Sequence, residues 1–403
     1  MKMGMKEITP SVYFAGVLNP NMRVFDVIMS TENGTSYNSY VVTGSEKVAV
    51  IEGSHKTFYD YFEENVAEVL GERKIDYLVL NHTEPDHSGC VAAFVEKYPD
   101  ITVVVSPAAN IYIKNITNMP DLKTQVVKDG DSISLGDKTL QFMNAPFLHW
   151  PDTMFTWCPE EKVLFSCDFL GCHYCEPQLY DHRVTFPNDY WYAVKYYFDC
   201  IFGPFKPYVQ KGLEKIRDLD IEYVCNSHGP ILTKGCSMEK VMALYDEWSK
   251  PQERANKLIP IFYCTAYGNT GQLADKAREG VLRVFPDAEV NTYNIIEHDM
   301  GELHALLNEC DACLLGTMTI NKDAVPPMYG LLAGVEAVNF AKRPVALFGT
   351  YGWSGEAFAN VTARLQSLKA NVVENPVKVT FVPTEADLAG MADYAEGFAK
   401  SIQ

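Results

Sequence analysis

The sequence predicts an α/β chain of two domains: stacked sheets covered by helices, then a doubly wound five-stranded parallel sheet. Three observations predict it. The 403-residue length is long for one core and comfortable for two. Over the first ~250 residues, β-branched and aromatic runs come in clusters, with helical segments between and after them. From residue 258 onward strands and helices alternate strictly, the pattern of a parallel sheet with crossover helices.

In the first domain (1–250) the strand candidates are RVFDVIM (23–29), SYNSYVVTG (36–44), KVAVIEG (47–53), DYLVLN (76–81) and ITVVVSP (101–107). They continue with LQFMNAP (140–146), MFTWCP (154–159), KVLFSCD (162–168) and EYVCNSHG (222–229). All are rich in strand-forming residues and bounded by turn formers. Helices are expected over 55–70, 88–98, the aromatic stretch 190–218, and 237–250. The polar, Pro-bearing segment 251–257 reads as a linker. In the second domain (258–403), strands at 258–264, 288–295, 312–317, 344–352 and 378–383 each precede a helix, making five βα units.

Net charge is −18, which argues against nucleic acid as the main partner, since phosphate backbones need Lys and Arg. No apolar run is long enough to span a bilayer, and the N-terminus lacks the apolar core of a signal peptide. These features predict a cytoplasmic protein with no membrane partner. Eleven cysteines then read as reduced thiols. Cys172-x-x-Cys175 is read as a lone pair, which predicts structural or incidental thiols rather than a metal or redox site.

In the second domain, the first strand runs into Thr265, Ala266, Tyr267, Gly268, Asn269 and Thr270 at a helix start. Backbone N–H groups and hydroxyls there favour a phosphate. The loop has no G-x-G-x-x-G and no G-K-[ST], so it is neither a dinucleotide fingerprint nor a Walker loop. It has no Lys or Arg, so neutral donors must hold the phosphate. Two further loops follow strand ends, where open sheets bind ligands: Thr317, Met318, Thr319, Ile320 and Asn321, and Thr350, Tyr351, Gly352, Trp353, Ser354 and Gly355. Trp353 between glycines offers a flat apolar face. A planar ring held by two loops with its phosphate on the first describes FMN. Over about 145 residues this domain resembles flavodoxin.

In the first domain, NHTEPDHS (81–88) crowds two imidazoles and two carboxylates into six residues. Pro85 biases Glu84 toward extended backbone, so His82, Glu84 and Asp86 are expected to alternate on one side. His87 turns the other way as a helix starts behind Ser88 as N-cap. Such a loop furnishes ligands to two metals. His149, Asp168 and His228 recur downstream, each at a strand end, completing four histidines and three carboxylates. His55, His173, His182, His298 and His304 sit in no such frame and are expected at the surface or satisfied in the core. Cys167 is a ligand by chemistry, but as Asp168's strand neighbour it should point away.

This pattern resembles the metallo-β-lactamase superfamily, with its H-x-[HE]-x-D-H followed by His, Asp and His. It implies an αββα sandwich over roughly residues 35–235. Zinc hydrolases of that fold usually carry His where this chain has Glu84, and the harder, more anionic set suits iron.

The two halves together resemble the flavodiiron proteins, the A-type flavoproteins. The resemblance implies two Fe per subunit: His82, Glu84 and His149 on one, Asp86, His87 and His228 on the other, Asp168 bridging. It implies reduction of dioxygen to water or of nitric oxide to nitrous oxide. The sequence shows no rubredoxin-like module with its two C-x-x-C pairs, so the minimal class is expected, with electrons from a small redox protein (rubredoxin) or reduced deazaflavin. A head-to-tail homodimer or dimer of dimers is implied. A tyrosine reaches the substrate in relatives, and Tyr192, Tyr196 and Tyr197 are the candidates, although core packing suits each. Two alternatives remain open at this point: a zinc-dependent hydrolase with a flavin module, and a flavin electron carrier.

Overall fold

The computed structural model describes residues 6–251 and 254–403. Residues 252 and 253 of the segment read as a linker lie outside it. The chain divides into two compact units, Met1–Pro251 and Gln252–Gln403.

The first unit holds two sheets face to face. One is seven-stranded, in the order Lys6–Thr9, Val12–Phe14, Tyr40–Thr43, Val48–Ile51, Tyr77–Leu80, Thr102–Val105, Thr124–Val126. The other is six-stranded: Ser132–Ser134, Thr139–Asn144, Met154–Cys158, Val163–Cys167, Tyr223–Asn226, Leu232–Thr233. Alternation along the strands decides the layers. Val42, Ala49, Ile51, Val79 and Val104 face Leu140, Phe142, Met154, Val163 and Phe165 between the sheets. Their neighbours Val41, Val48, Val50, Leu78 and Leu80 face outward, onto Phe62, Val66, Phe94 and Ile113 of the covering helices. Phe155, Leu164 and Val224 of the second sheet meet Tyr197, Val209, Val241 and Tyr245 on its own helices. The strands are buried on both faces and read as near-continuous apolar runs, as in an αββα sandwich.

Several expectations change. The strand expected over 23–29 is a small hairpin, Val24–Phe25 with Met29–Ser30, because Asp26 and Val27 adopt φ of +46° and +69° and turn the chain. The helix expected over 190–218 is broken. Pro187–Tyr197 passes through a π-turn, Phe198–Phe202, and a short turn, Gly203–Phe205, into Lys206–Ile216. Pro204 and Pro207 cannot donate to a continuous helical ladder. The helix Pro107–Thr117 and the first two strands were not read from sequence.

The second unit is a parallel sheet in the order Thr292–Asn294, Ile261–Tyr263, Cys313–Ile320, Pro344–Tyr351, then a fifth position split into Asn371–Val372 and Val377–Thr380, both paired to Pro344–Tyr351. Asn269–Val284 and Glu385–Ser401 cover one face, and Met300–Glu309, Pro326–Ala333 and Glu356–Ser367 the other. The doubly wound expectation holds. The second ligand loop is instead a hairpin: the strand runs on to Ile320, turns at Asn321 and Lys322 (φ +52° and +62°), and pairs with Asp323–Ala324.

Candidate metal centre and flavin site

The seven predicted side chains converge at one end of the sandwich. Tyr77–Leu80 ends just before His82, Val163–Cys167 before Asp168, and Tyr223–Asn226 before His228. The approach differs from the extended run expected. Pro85–Ser88 is already one helical turn, with Pro85 in its first turn and Glu84 as its N-cap residue, so the helix starts before Ser88. Glu84 and Asp86 therefore leave the backbone in different directions, and each joins a different group.

His82, Glu84, His149 and Asp168 form one group, and Asp86, His87 and His228 another. In the first, Glu84 Oε2 lies 3.2 Å from His82 Nε2 and 3.0 Å from His149 Nε2. In the second, Asp86 Oδ1 lies 3.3 Å from His87 Nε2, and its Oδ2 3.1 Å from His228 Nε2. Asp168 divides its oxygens between them. Oδ2 is 3.3 Å from His149 Nε2 and 3.8 Å from His82 Nε2, while Oδ1 is 3.1 Å from His87 Nε2 and 3.4 Å from His228 Nε2.

Backbone irregularity aims Asp168. The pairing of Val163–Cys167 with Tyr223–Asn226 shifts register between Phe165 and Cys167, and Cys167 takes φ +54°. A bulge re-aims the next side chain. It also breaks the strict alternation that would send Cys167 away, and Cys167 instead lies near His87 and Glu52 on the outer side of the cluster.

Sequence reasoning missed the groups behind the ligands. His82 donates Nδ1–H to Asp152 Oδ1 (3.2 Å), and Asp152 Oδ2 accepts from Thr83 N (2.8 Å) and Oγ1 (2.7 Å). His228 donates Nδ1–H to the Ser36 carbonyl (2.7 Å). Both contacts anchor Nδ1 and turn Nε2 toward the cluster, the usual way an outer partner orients a ligand ring. Glu52 accepts from Asn81 N (2.9 Å) and leaves Oε2 without a partner among the described residues. His173 was expected at the surface or satisfied in the core rather than as a ligand, and it joins neither ligand group. It is buried against the site, its ring 4.9 Å from His228, its Nδ1 sharing a 2.9 Å hydrogen bond with Thr35 Oγ1. Of the three tyrosines Tyr197 is fully buried with its ring 4.9 Å from His173, while Tyr192 and Tyr196 line a cavity that His173 also borders. Nothing in local sequence marks these residues, because each is brought in by a separate loop.

Electrostatics follow from crowding. Burial alone favours neutral groups, but hydrogen bonds to Asp152 and Glu84 outweigh it and hold His82 well above the usual imidazole range. His87 is raised to about 10: burial opposes, and Asp86 and Asp168 prevail. Burial likewise opposes the Glu84 and Asp168 carboxylates, yet neighbouring imidazoles hold both well below the usual range.

In the second unit the three candidate loops are neighbours, because their strands are adjacent in the sheet. Asn269–Val284 begins behind Gly268 (φ +82°), and no side chain caps it, so its first N–H groups are open to a phosphate. Thr270 Oγ1 and Thr350 Oγ1 share a 2.9 Å hydrogen bond that ties the first loop to the third. Tyr267 and Trp353 are each 91% exposed, two aromatic faces left uncovered at the ligand end.

Comparison with known proteins decides the family. The ODP family beta lactamase matches residues 35–229 and flavodoxin matches 261–393. The chain is 45% identical to the flavo-diiron protein FprA2 of Clostridium acetobutylicum, over 98% of this chain and 99% of that one. The chain belongs to the flavodiiron protein family. It is also 38% identical to the type A flavoprotein fprA of Rhodobacter capsulatus, over 94% of this chain and 88% of that one. Among solved structures it is similar to the flavodiiron protein of Giardia intestinalis (27% identity, TM-score 0.69, 99% and 96% covered). It is similar as well to rubredoxin oxygen:oxidoreductase of Desulfovibrio gigas (25% identity, TM-score 0.73, 99% and 98% covered). Flavodiiron proteins are oxidoreductases with FMN in the flavodoxin domain and a diiron site in the lactamase-like domain.

The residues present fit both groups. Among the described residues, Asp86 Oδ1 and Oδ2, His87 Nε2 and Asp168 Oδ1 are buried without a hydrogen-bond partner, though all lie within the cluster. Buried polar atoms are normally satisfied, and here the missing partner is a cation. Two donors each ~2.1 Å from one ion and at right angles lie ~3.0 Å apart, close to the spacings above. Among the described residues no helix is long and apolar enough to cross a membrane.

Proposed function

We propose that this flavodiiron protein reduces dioxygen to water or nitric oxide to nitrous oxide, with electrons from a separate donor that enter through FMN. The observation that carries the reading is Asp168, whose two oxygens each face a separate ligand group. A shared carboxylate holds a metal pair at fixed spacing, and an all-imidazole and carboxylate set suits iron over zinc.

His82, Glu84 and His149 would hold one iron and Asp86, His87 and His228 the other, with Asp168 between them. The 265–270, 317–321 and 350–355 segments would hold FMN. Bound there, the iron pair would supply reducing equivalents for a small diatomic substrate, and FMN would supply a two-electron store. The chain's own contribution is to fix and shield. Asp152 and the Ser36 carbonyl orient His82 and His228. Trp150 (5.0 Å from the His82 ring), Phe202 (6.4 Å from His149) and Phe25 (6.2 Å from His228) wall the cluster with apolar rings. Such a wall admits an apolar gas and keeps bulk water out.

The Desulfovibrio gigas protein is a rubredoxin oxygen:oxidoreductase, and we extend a rubredoxin-type donor to this chain, alongside reduced deazaflavin. The further reading is a cytoplasmic head-to-tail homodimer with domains at 1–250 and 258–403. The test is anaerobic full reduction, then separate exposure to each gas with product analysis, on wild type and Asp168→Ala. Water or nitrous oxide from wild type and neither from the variant supports the reading. Bound zinc with hydrolase activity, or electron uptake with no gas consumed, overturns it.

A further inference from the structure

Cys172-x-x-Cys175 is not alone in the chain, because Cys310-x-x-Cys313 is a second such pair. Its Cys310 thiol is occupied, donating to the Leu307 carbonyl at 3.2 Å, and both residues are buried. The unassigned group that touches a proposed site is a carboxylate, Asp323.

Asp323 belongs to the hairpin that carries the second flavin loop. The strand Cys313–Ile320 pairs with Pro344–Tyr351 as far as Met318 opposite Thr350. Beyond that point Thr319 and Ile320 pair with Ala324 and Asp323, through a two-residue turn at Asn321 and Lys322. Both turn residues take positive φ, +52° and +62°, as a type I′ turn requires. Asn adopts that region readily, but Lys322 stands where Gly is preferred. Ile320 is 51% exposed, so the tip gains little from apolar packing. A two-stranded hairpin this short is not stable alone.

Asp323 supplies the missing hold. Its Oδ1 accepts from Ala324 N at 2.7 Å, Tyr329 Oη at 2.5 Å and Asn360 Nδ2 at 2.8 Å. The first bond is local. The other two come from separate helices, Pro326–Ala333 and Glu356–Ser367. The second of these helices begins directly after the third flavin loop, 350–355, and Asn360 lies about one turn into it. One carboxylate oxygen therefore ties the second loop to the element that follows the third. These bonds, that of Tyr329 first, hold the Asp323 carboxyl below its ordinary range. It is ionised at neutral pH, and the bonds are charge-assisted.

We propose that Asp323 is a positioning residue for FMN, its carboxylate fixing the 319–324 hairpin against both helices so that segments 317–321 and 350–355 keep the separation a flavin ring needs. This role rests on the reading that those segments hold FMN. Asp323 acts before the flavin arrives. With the latch in place the hairpin is ready to bind; without it the ready shape is populated only part of the time, and apparent affinity falls by that fraction. The loss falls on association, because a seated flavin holds the loop through its own contacts.

In the experiment the full-length chain is stripped of FMN, and rebinding is followed by flavin fluorescence at equilibrium and by stopped flow. Asp323→Ala should weaken FMN about tenfold, with most of the loss in the association rate. Asp323→Asn keeps Oδ1 as an acceptor for all three donors and should stay within about threefold of wild type. Asn360→Ala should slow association by itself and add nothing in the Asp323→Ala background, because both remove one latch. Circular dichroism melts of the FMN-free variants check folding, and Asn360→Ala carries the test if Asp323→Ala does not fold. The proposal is overturned if either alanine variant folds and takes up FMN at the wild-type rate, if Asp323→Asn is as slow as Asp323→Ala, or if the two alanine effects simply add. Wild type that takes up no FMN sinks the flavin reading itself, and this role with it.

Discussion

Asp152 is the side chain whose replacement tests the metal centre most sharply, because it touches no metal and yet sets the tautomer of His82. It is fully buried and accepts three hydrogen bonds, one from His82 Nδ1 and two from Thr83. Asp152→Asn keeps the volume but has one acceptor oxygen. Its NH2 must face either both Thr83 donors or His82. If it faces His82, Nδ1 becomes the acceptor and the ring proton moves to Nε2, which points at Glu84 and Asp168. A protonated Nε2 cannot bind metal. Loss of such an outer partner costs about 10- to 100-fold in metal affinity, or ~1.4–2.7 kcal/mol. Asp152→Ala leaves three buried donors unsatisfied, roughly 3–5 kcal/mol, which in a unit of this size lowers the melting temperature by roughly 10 °C. The assay is iron titration against a competing chelator, with FMN content as the internal control and calorimetry for stability. Asp152→Asn with wild-type affinity for both irons would refute the reasoning.

Asp168→Ala removes the shared carboxylate, so metal analysis should find both ions weakened together while FMN stays bound. Gly349→Ala should lower FMN affinity at least about tenfold and destabilise the second unit by ~1–3 kcal/mol, because the added Cβ would sit 1.8 Å from the Thr317 carbonyl oxygen of the adjacent strand. Fluorescence titration and calorimetry of that variant read both effects. Burial pushes Glu52 up to about 7 from its ordinary 4.5. Its protonated form therefore stabilises the metal-free protein fully below pH 4.5, and that contribution, about 3 kcal/mol, is lost as pH rises through 7. Denaturant melts of metal-free Glu52→Gln should lack that slope, and an unchanged slope would place the titration elsewhere.

The sequence carried the fold where the physics is local. Met300–Glu309 is one of the helices expected after a strand, with Asp299 as its side-chain cap and a continuous amphipathic pattern behind it. Pro107–Thr117 was legible too: Ser106 caps Ala109 N and Pro107 occupies the first turn, a start signal that went unread. The seven ligand candidates were visible because they lie in segments that follow strand ends, and an αββα sandwich gathers such ends. What stayed hidden is non-local. Asp152 supports His82 from 70 residues away and Ser36 supports His228 from 192, and neither pairing leaves a trace in spacing. The direction of Asp86 is what the local sequence hid: Glu84 keeps the extended backbone expected before Pro85 (φ −53°, ψ 141°) and stays with His82, but Pro85 begins a helical turn that carries Asp86 to the other group.

The charge pattern of the centre yields a last expectation about how it fills. Three carboxylates, Glu84, Asp86 and Asp168, are buried within one cluster, an arrangement that like charges and desolvation both oppose. In the metal-free chain protonated imidazoles offset it: His82 and His149 are raised and His87 reaches about 10. Those protons occupy the nitrogens that face the carboxylates, and these are the atoms a metal needs as lone pairs. Metal therefore enters by exchange, each imidazole giving up a proton as it binds. At neutral pH, loading should release roughly two to three protons per chain beyond those lost by the metal's own water. Affinity should then rise with pH until the imidazoles are neutral in the free protein. Calorimetry of anaerobic ferrous loading in buffers of different ionisation enthalpy counts the protons directly. Loading that releases none would mean that the imidazoles are already neutral, and that the carboxylates are held apart by something other than charge.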